Sequence, residues 1–101
     1  MMSFGELIRQ AREEKKIILR KVAAELDIDQ AIISKFERGE RKPTKEQVLK
    51  FASFYGLSED QLIIAWLSDK VVYNLAEEDY AHEALKVAEE KIQYLKAKKH
   101  E

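Results

Sequence analysis

The segment LRKVAAELDIDQAIISKFERGERKPT, Leu19 to Thr44, decides how this chain folds. Apolar residues recur at helical spacing in two short runs, Val22, Ala23 and Leu26 in the first and Ile33 and Phe36 in the second. That spacing predicts helices over about 19–26 and 30–38. Between the first run and Asp29 stand only Asp27 and Ile28, and Asp29 is a good N-cap for the second helix. The first has no polar cap, because Ile17 and Ile18 precede it. With about 100° per residue and Gln30 taken as zero, Ala31 falls at about 100°, Ser34 at about 40°, Lys35 at about 140° and Arg38 at about 80°. These form one polar, small-residue face. Ile33 at about 300° and Phe36 at about 240° lie opposite and face a core, with Ile32 at the edge at about 200°.

Outward from this segment the chain continues as helix. Ser3 with Glu6, Thr44 with Gln47, and Ser58 with Gln61 each fit the capping box that opens a helix. Gly39 and Gly56 follow Arg38 and Tyr55, where a left-handed residue closes one. The first helix is expected over about 4–16, burying Phe4, Leu7, Ile8 and Ala11. A fourth is expected over about 45–55, burying Val48, Phe51, Ala52 and Tyr55. A fifth begins at Glu59, buries Leu62, Ile63 and Trp66, and continues to about Tyr73. Asn74 is the expected cap of a last helix, with Glu77, Glu78 and Asp79 at its positive end and Lys96, Lys98 and Lys99 at its negative end. Ala81, Leu85, Ala88, Ile92 and Leu95 recur at spacings of four and three, an apolar seam that must bury against something.

The chain has 101 residues, 46% apolar and 37% charged, with three glycines, one proline and no cysteine. Such a length holds one modest core, and without Val/Thr-rich alternation the fold class is all-α. There is no apolar run long enough to span a membrane and no basic, apolar start of a secretory signal, so a cytoplasmic location is expected. The net charge of −1 argues against bulk electrostatic gripping of nucleic acid. Its distribution leaves room for a local patch: residues 1–43 hold ten basic against eight acidic side chains, and residues 67–101 six against eight.

Two short helices joined by a tight turn inside a bundle suggest a helix-turn-helix. From about Phe4 to Leu67 the chain resembles the lambda-repressor/Cro-like family, also called the xenobiotic-response-element family. The resemblance lies in the alanines of the second helix, the Ile-Ser-Lys-Phe-Glu-Arg-Gly ending of the third, and the basic, proline-containing loop after it. It implies a five-helix DNA-binding domain at residues 1–67 with an additional C-terminal helical extension at 68–101. Four positions depart from the family: Ile18 and Leu19 stand where a polar residue and a glutamine usually open the second helix and hold a phosphate. Asp27 replaces the turn glycine, which its short polar side chain tolerates. Glu40 stands where a basic residue is common.

A major groove admits an α-helix whose N-terminal side chains reach base edges, so Gln30, Ala31, Ser34 and Lys35 are the expected reading positions. Gln pairs with adenine, Ala packs on a thymine methyl and Lys donates to guanine. Arg20, Lys21, Arg38, Arg41 and Lys42 are the expected phosphate contacts, with Arg20 a candidate substitute for the missing clamp. Arg12 and Glu37 align with a charged pair that, in the family, ties the first helix to the end of the third.

One helix-turn-helix reads few base pairs, so a homodimer on a pseudo-palindromic operator is expected, joined through Ile64, Leu67 and the seam of Leu85, Ala88, Ile92 and Leu95. The alternative for the seam is packing back near Trp66 and Val71. Enzymatic chemistry finds no support: the histidines His82 and His100 lack evident partners, no glycine-rich phosphate loop follows a strand, and no metal or cofactor site is legible. Phe51, Phe54, Tyr55 and Trp66 read as core rather than as a platform for stacked bases. The expected function is a double-stranded-DNA-binding transcription regulator. Its rivals are a DNA-binding antitoxin with a toxin partner, and a protein-interaction module that binds no DNA.

Overall fold

The computed structural model describes residues 1–99, so His100 lies outside the described residues. Six α-helices and no strand are present among them: α1 Phe4–Glu14, α2 Leu19–Leu26, α3 Gln30–Glu37, α4 Lys45–Tyr55, α5 Glu59–Leu75 and α6 Ala81–Lys99. The chain divides into two compact units, Met1–Lys70 and Val71–Glu101.

The starts and stops follow local chemistry. Ser3 with Glu6 and Thr44 with Gln47 form complete capping boxes. Ser58 forms half of one, its hydroxyl accepting from the Gln61 N–H at 3.3 Å. The Ser3 bonds hold the Glu6 carboxyl below its usual range. Gly39 and Gly56 adopt φ of 73° and 67°. Beyond α4, the Leu57 N–H donates to the Ala52 carbonyl, a closure that a left-handed residue at Gly56 permits. α1 is shorter than the spacing suggested. It stops at Glu14 because Lys16 turns left-handed at φ 55°, which lets the Ile17 N–H reach the Arg12 carbonyl at 3.1 Å.

In the first unit, α3 packs against α1 and α2, and α4 packs against the same pair. Phe4, Ile8, Ala11, Val22, Leu26, Ile33, Phe36, Val48, Phe51, Ala52, Tyr55, Leu62, Ala65 and Trp66 make one core. Phe51 is its hub: Phe4 and Phe36 meet its ring edge-on at 5.7 and 6.2 Å, and Tyr55 stacks on it at 6.2 Å. Such pairs add about 0.5–1.5 kcal/mol each beyond the area they bury. Leu7 and Ile63, expected inside, are half-buried; Gly5 and Ala65 take the inner positions.

The second unit departs from expectation at its start. Asn74 does not cap α6; it lies within α5, whose apolar Val71, Val72 and Leu75 carry the helix past it. The Ala76 N–H still bonds the Val72 carbonyl at 2.9 Å, and turns over Ala76–Tyr80 lead into α6 at Ala81. Glu77, Glu78 and Asp79 therefore precede the helix, leaving Glu83 as the acidic residue of its first turn, while Lys96, Lys98 and Lys99 fill its last. α6 buries none of its described residues. Leu85, Ala88 and Ile92 line an open groove with Val71 and Leu75.

One feature of the core is costly. Tyr55 is 2% exposed, and its hydroxyl has no partner among the described residues. Burial first, and the nearby Glu37 carboxylate second, push its pKa up to about 12. The folded chain therefore holds Tyr55 neutral where an unfolded one ionises, at about 10. Stability from this site is full below pH 10 and is lost as the pH rises through 12. An unpartnered buried hydroxyl costs about 1–3 kcal/mol. Tyr55→Phe is expected to raise stability in urea denaturation by about 1 kcal/mol at pH 7 and to flatten the alkaline decline. An unchanged or lower midpoint would refute the assignment.

Candidate nucleic-acid interface

The joint between α2 and α3 is built by three residues with separate tasks. Asp27 ends α2 in the left-handed region at φ 55°, ψ 48°, so the Ile28 N–H donates to the Ala23 carbonyl at 3.2 Å. Ile28, 8% exposed, drops into the core beneath the turn. The Asp29 carboxylate accepts from the N–H groups of Ala31 and Ile32 at 2.8 and 3.3 Å, opening α3 in a new direction. Capping of this kind is worth about 1 kcal/mol.

α3 is then held at three points. Ile33 and Phe36, 0% and 2% exposed, sit in the core. Glu37, a buried charge, receives Arg12 of α1 bidentately: Nε donates to Oε2 at 2.7 Å and Nη2 to Oε1 at 3.0 Å. Arg12 Nη1 also donates to the Ile17 carbonyl at 3.2 Å, tying the chain before α2 into the same group. Glu37 holds the Arg12 guanidinium more firmly protonated than usual. Beyond Arg38, the Gly39 N–H reaches the Phe36 carbonyl at 3.1 Å and the Glu40 N–H the Lys35 carbonyl at 2.9 Å, a Schellman closure.

On the far side from these anchors Gln30, Ala31 and Lys35 are exposed, and Ser34 is half-buried. A shallow depression between the start of α2 and the first turns of α3 is lined by Leu19, Asp29, Gln30, Ala31 and Ser34. Leu19 thus stands apolar and half-buried beside Gln30, Ala31 and Ser34. Arg20 and Lys21 are exposed in the first turn of α2, where Ile18 caps through its backbone alone.

Arg41 and Lys42 are exposed on the loop after α3, as expected, but the bond that anchors this loop was not legible in the sequence. Trp66 Nε1 donates to the Pro43 carbonyl at 2.9 Å, a buried bond that fastens the basic loop to α5. Lys70 lies 3.6 Å over the indole centroid, and the Phe4 N–H donates to Asp69 at 2.9 Å. Tryptophan read as core was correct for its rings but silent about its N–H, which must find an acceptor when buried.

Arg38 is not open to solvent on all sides. Its guanidinium pairs with the Glu40 carboxylate through Nε and, at 3.4 Å, through Nη2, while Nη1 donates to Ser34 Oγ at 2.7 Å. The pairing holds the Glu40 carboxyl below the usual carboxylate range.

Residues 8–62 match the helix-turn-helix family model, more than half of the chain and the whole of the α2–turn–α3 geometry described above. The chain belongs to the lambda-repressor-like helix-turn-helix family. A relative in this family of DNA-binding transcriptional regulators is the HTH-type transcriptional regulator ImmR of Bacillus subtilis (strain 168), 31% identical over 62 residues. That alignment covers 61% of this chain and 49% of ImmR, so the chain spans about half the length of the curated relative it matches. α6 lies beyond the residues matched by the family model.

Ile64 and Leu67 of α5 are exposed, at 65% and 48%. Leu85, Ile92 and Leu95 of α6 are exposed too, with Ala88 between them. Among the described residues no group of three His, Cys, Asp or Glu side chains is arranged to hold a metal ion, and His82 is solvent-exposed. No described helix is long and apolar enough to cross a membrane.

Proposed function

We infer that this protein is a sequence-specific double-stranded-DNA-binding transcription regulator that works as a cytoplasmic homodimer on a pseudo-palindromic operator. The observation that carries the reading is the mounting of α3: Ile33, Phe36 and Glu37 fix it from behind, while Gln30, Ala31 and Lys35 stand exposed on the opposite face. A helix so held enters a major groove without reorganising, and its first residues meet base edges. Gln30 suits adenine, Ala31 a thymine methyl and Lys35 guanine, each good pair discriminating by about 1–3 kcal/mol. Arg20 and Lys21, exposed at the start of α2, and Arg41 and Lys42, exposed on the loop pinned by Trp66, suit phosphates. ImmR, whose name describes an HTH-type transcriptional regulator, supports the same reading.

Two such domains must be joined for half-sites about 34 Å apart. Ile64 and Leu67 on α5, and Leu85, Ala88, Ile92 and Leu95 on α6, offer exposed apolar surface for a self-complementary contact. Because α6 buries none of its described residues, a toxin partner is the competing occupant.

Selection of bound duplexes from a random pool is expected to yield a two-fold symmetric consensus. Gln30→Ala and Lys35→Ala should each relax one position per half-site, at a cost of about 1–3 kcal/mol. Arg41→Ala should instead weaken all duplexes alike and reduce the salt slope by about one. Leu85→Lys with Ile92→Lys should leave a monomer by sedimentation and lose the symmetric site. No enrichment would sink the DNA reading; a dimer untouched by the α6 changes would sink that interface; a co-purifying second polypeptide would favour the antitoxin.

A further inference from the structure

We propose that Glu40 and Arg38 form a positioning chain that turns Ser34 into a dedicated hydrogen-bond donor for a purine N7 in the major groove. The proposal rests on the DNA-binding reading and adds to it what Ser34 reads and which residues make it do so.

A serine hydroxyl is ambiguous, since it carries one donor and two acceptor sites and rotates to suit its neighbours. In this protein the rotation is restricted. Arg38 Nη1 donates to Ser34 Oγ at 2.7 Å, so one lone pair is already used and a cation stands beside the oxygen. The hydroxyl proton is repelled from that cation and directed to the other side. A helical serine often returns its proton to a carbonyl of the preceding turn, as Ser68 does toward Ala65 at 2.9 Å. Ser34 makes no such bond among the described residues. Its proton is left for an acceptor outside the chain, on the same helix face as Gln30 and Ala31.

Glu40 keeps Arg38 in this role. An exposed arginine at the end of a recognition helix would otherwise swing to the nearest phosphate. Glu40 engages Nε and Nη2, leaving Nη1 to face Ser34. The Schellman closure at Gly39, with the Glu40 N–H on the Lys35 carbonyl at 2.9 Å, brings the carboxylate back to the helix it has just left. An acidic residue in an otherwise basic loop, Glu40-Arg41-Lys42, is accounted for in this way.

A donor at this place needs an acceptor on the base. Both purines offer N7 in the major groove and thymine offers O4 beside its bulky methyl group, whereas cytosine presents only an amino donor. Arg38 is then a positioning residue and not a phosphate contact, and the site prefers a purine over cytosine.

The test uses the full chain and a duplex carrying the selected consensus, in which each purine in turn is replaced by its 7-deaza analogue, lacking the N7 acceptor. In the wild-type protein one replacement per half-site should weaken binding about fivefold, the worth of one hydrogen bond. Ser34→Ala should bind the unmodified duplex about fivefold more weakly and be indifferent to that replacement. Glu40→Ala, a change at an exposed side chain, should lose much of the same sensitivity, tighten binding to random-sequence duplex, and steepen the salt slope by about one as Arg38 moves to a phosphate. Glu40→Asp should restore the wild-type pattern. A 7-deaza penalty that persists in Ser34→Ala, or a salt slope and penalty unchanged in Glu40→Ala, overturns the proposal while the DNA reading stands. A wild-type chain that binds no duplex overturns that reading and the proposal together.

Discussion

Gly5→Ala is expected to destabilise the first unit by about 3 kcal/mol or more, although alanine is the better helix former by about 1 kcal/mol. The reason is the approach of α1 to the end of α3. A Cβ on Gly5 would lie 2.3 Å from the Phe36 carbonyl oxygen and 2.8 Å from that of Glu37. Both atoms are backbone, fixed by the α3 closure, so no rotamer change makes room. α1 must move outward, and with it Phe4 and Ile8 leave the core and Arg12 loses its register on Glu37. The clash outweighs the propensity. Gly39 and Gly56 make an internal comparison: nothing lies within 4 Å of a Cβ at either, and their demand is for positive φ alone. Alanine at those positions should cost about 1–2 kcal/mol, the ordinary penalty for a left-handed residue. Thermal unfolding separates the cases, since 1 kcal/mol shifts the midpoint of a domain this size by about 4–8 °C. A Gly5→Ala protein as stable as wild type would mean that α1 and α3 are not in close backbone contact.

Gly5 also marks a boundary of what the sequence makes legible. Its place in the first turn of a capped helix looks like a local weakness; its purpose lies more than thirty residues away, where Phe36 and Glu37 turn their carbonyls toward it. Local chemistry was readable. Ser3, Asp29 and Thr44 announce helix starts, Gly39 and Gly56 announce ends, and the angular separation of Ile33 and Phe36 from Gln30 and Lys35 assigns the two faces of α3. After Gly56 the chain has neither glycine nor proline, and the punctuation fails with them. Asn74 was a reasonable cap by type but sits inside α5, because the apolar residues around it favour continuing the helix. The Trp66 bond to Pro43 and the Glu40–Arg38–Ser34 chain were hidden for a related reason: spacing in sequence says which side chains share a helix, not which polar atom ends beside which. The apolar seam of α6 was legible as a demand for burial, and its occupant was not.

The second large effect concerns charge rather than volume. Arg12→Met is expected to destabilise the protein by about 3–5 kcal/mol, because it strands the Glu37 carboxylate, whose side chain is 5% exposed, without its partner. Glu37→Leu should cost less. Arg12 is 17% exposed, and its guanidinium can turn toward water while keeping the Ile17 carbonyl. The double variant should recover most of the loss, since a buried ion pair replaced by apolar side chains of similar volume is often close to neutral. Equal losses from both single changes with simple additivity in the double would show that the two side chains act independently. The pair is worth keeping, on this account, for where it puts α3: Glu37 is the last residue of that helix, and tying it to α1 fixes the direction in which Gln30 to Lys35 point. The double variant is therefore the informative protein. If it is stable yet reads the selected duplex with weaker base preference, the ion pair serves recognition through geometry, at little benefit to stability.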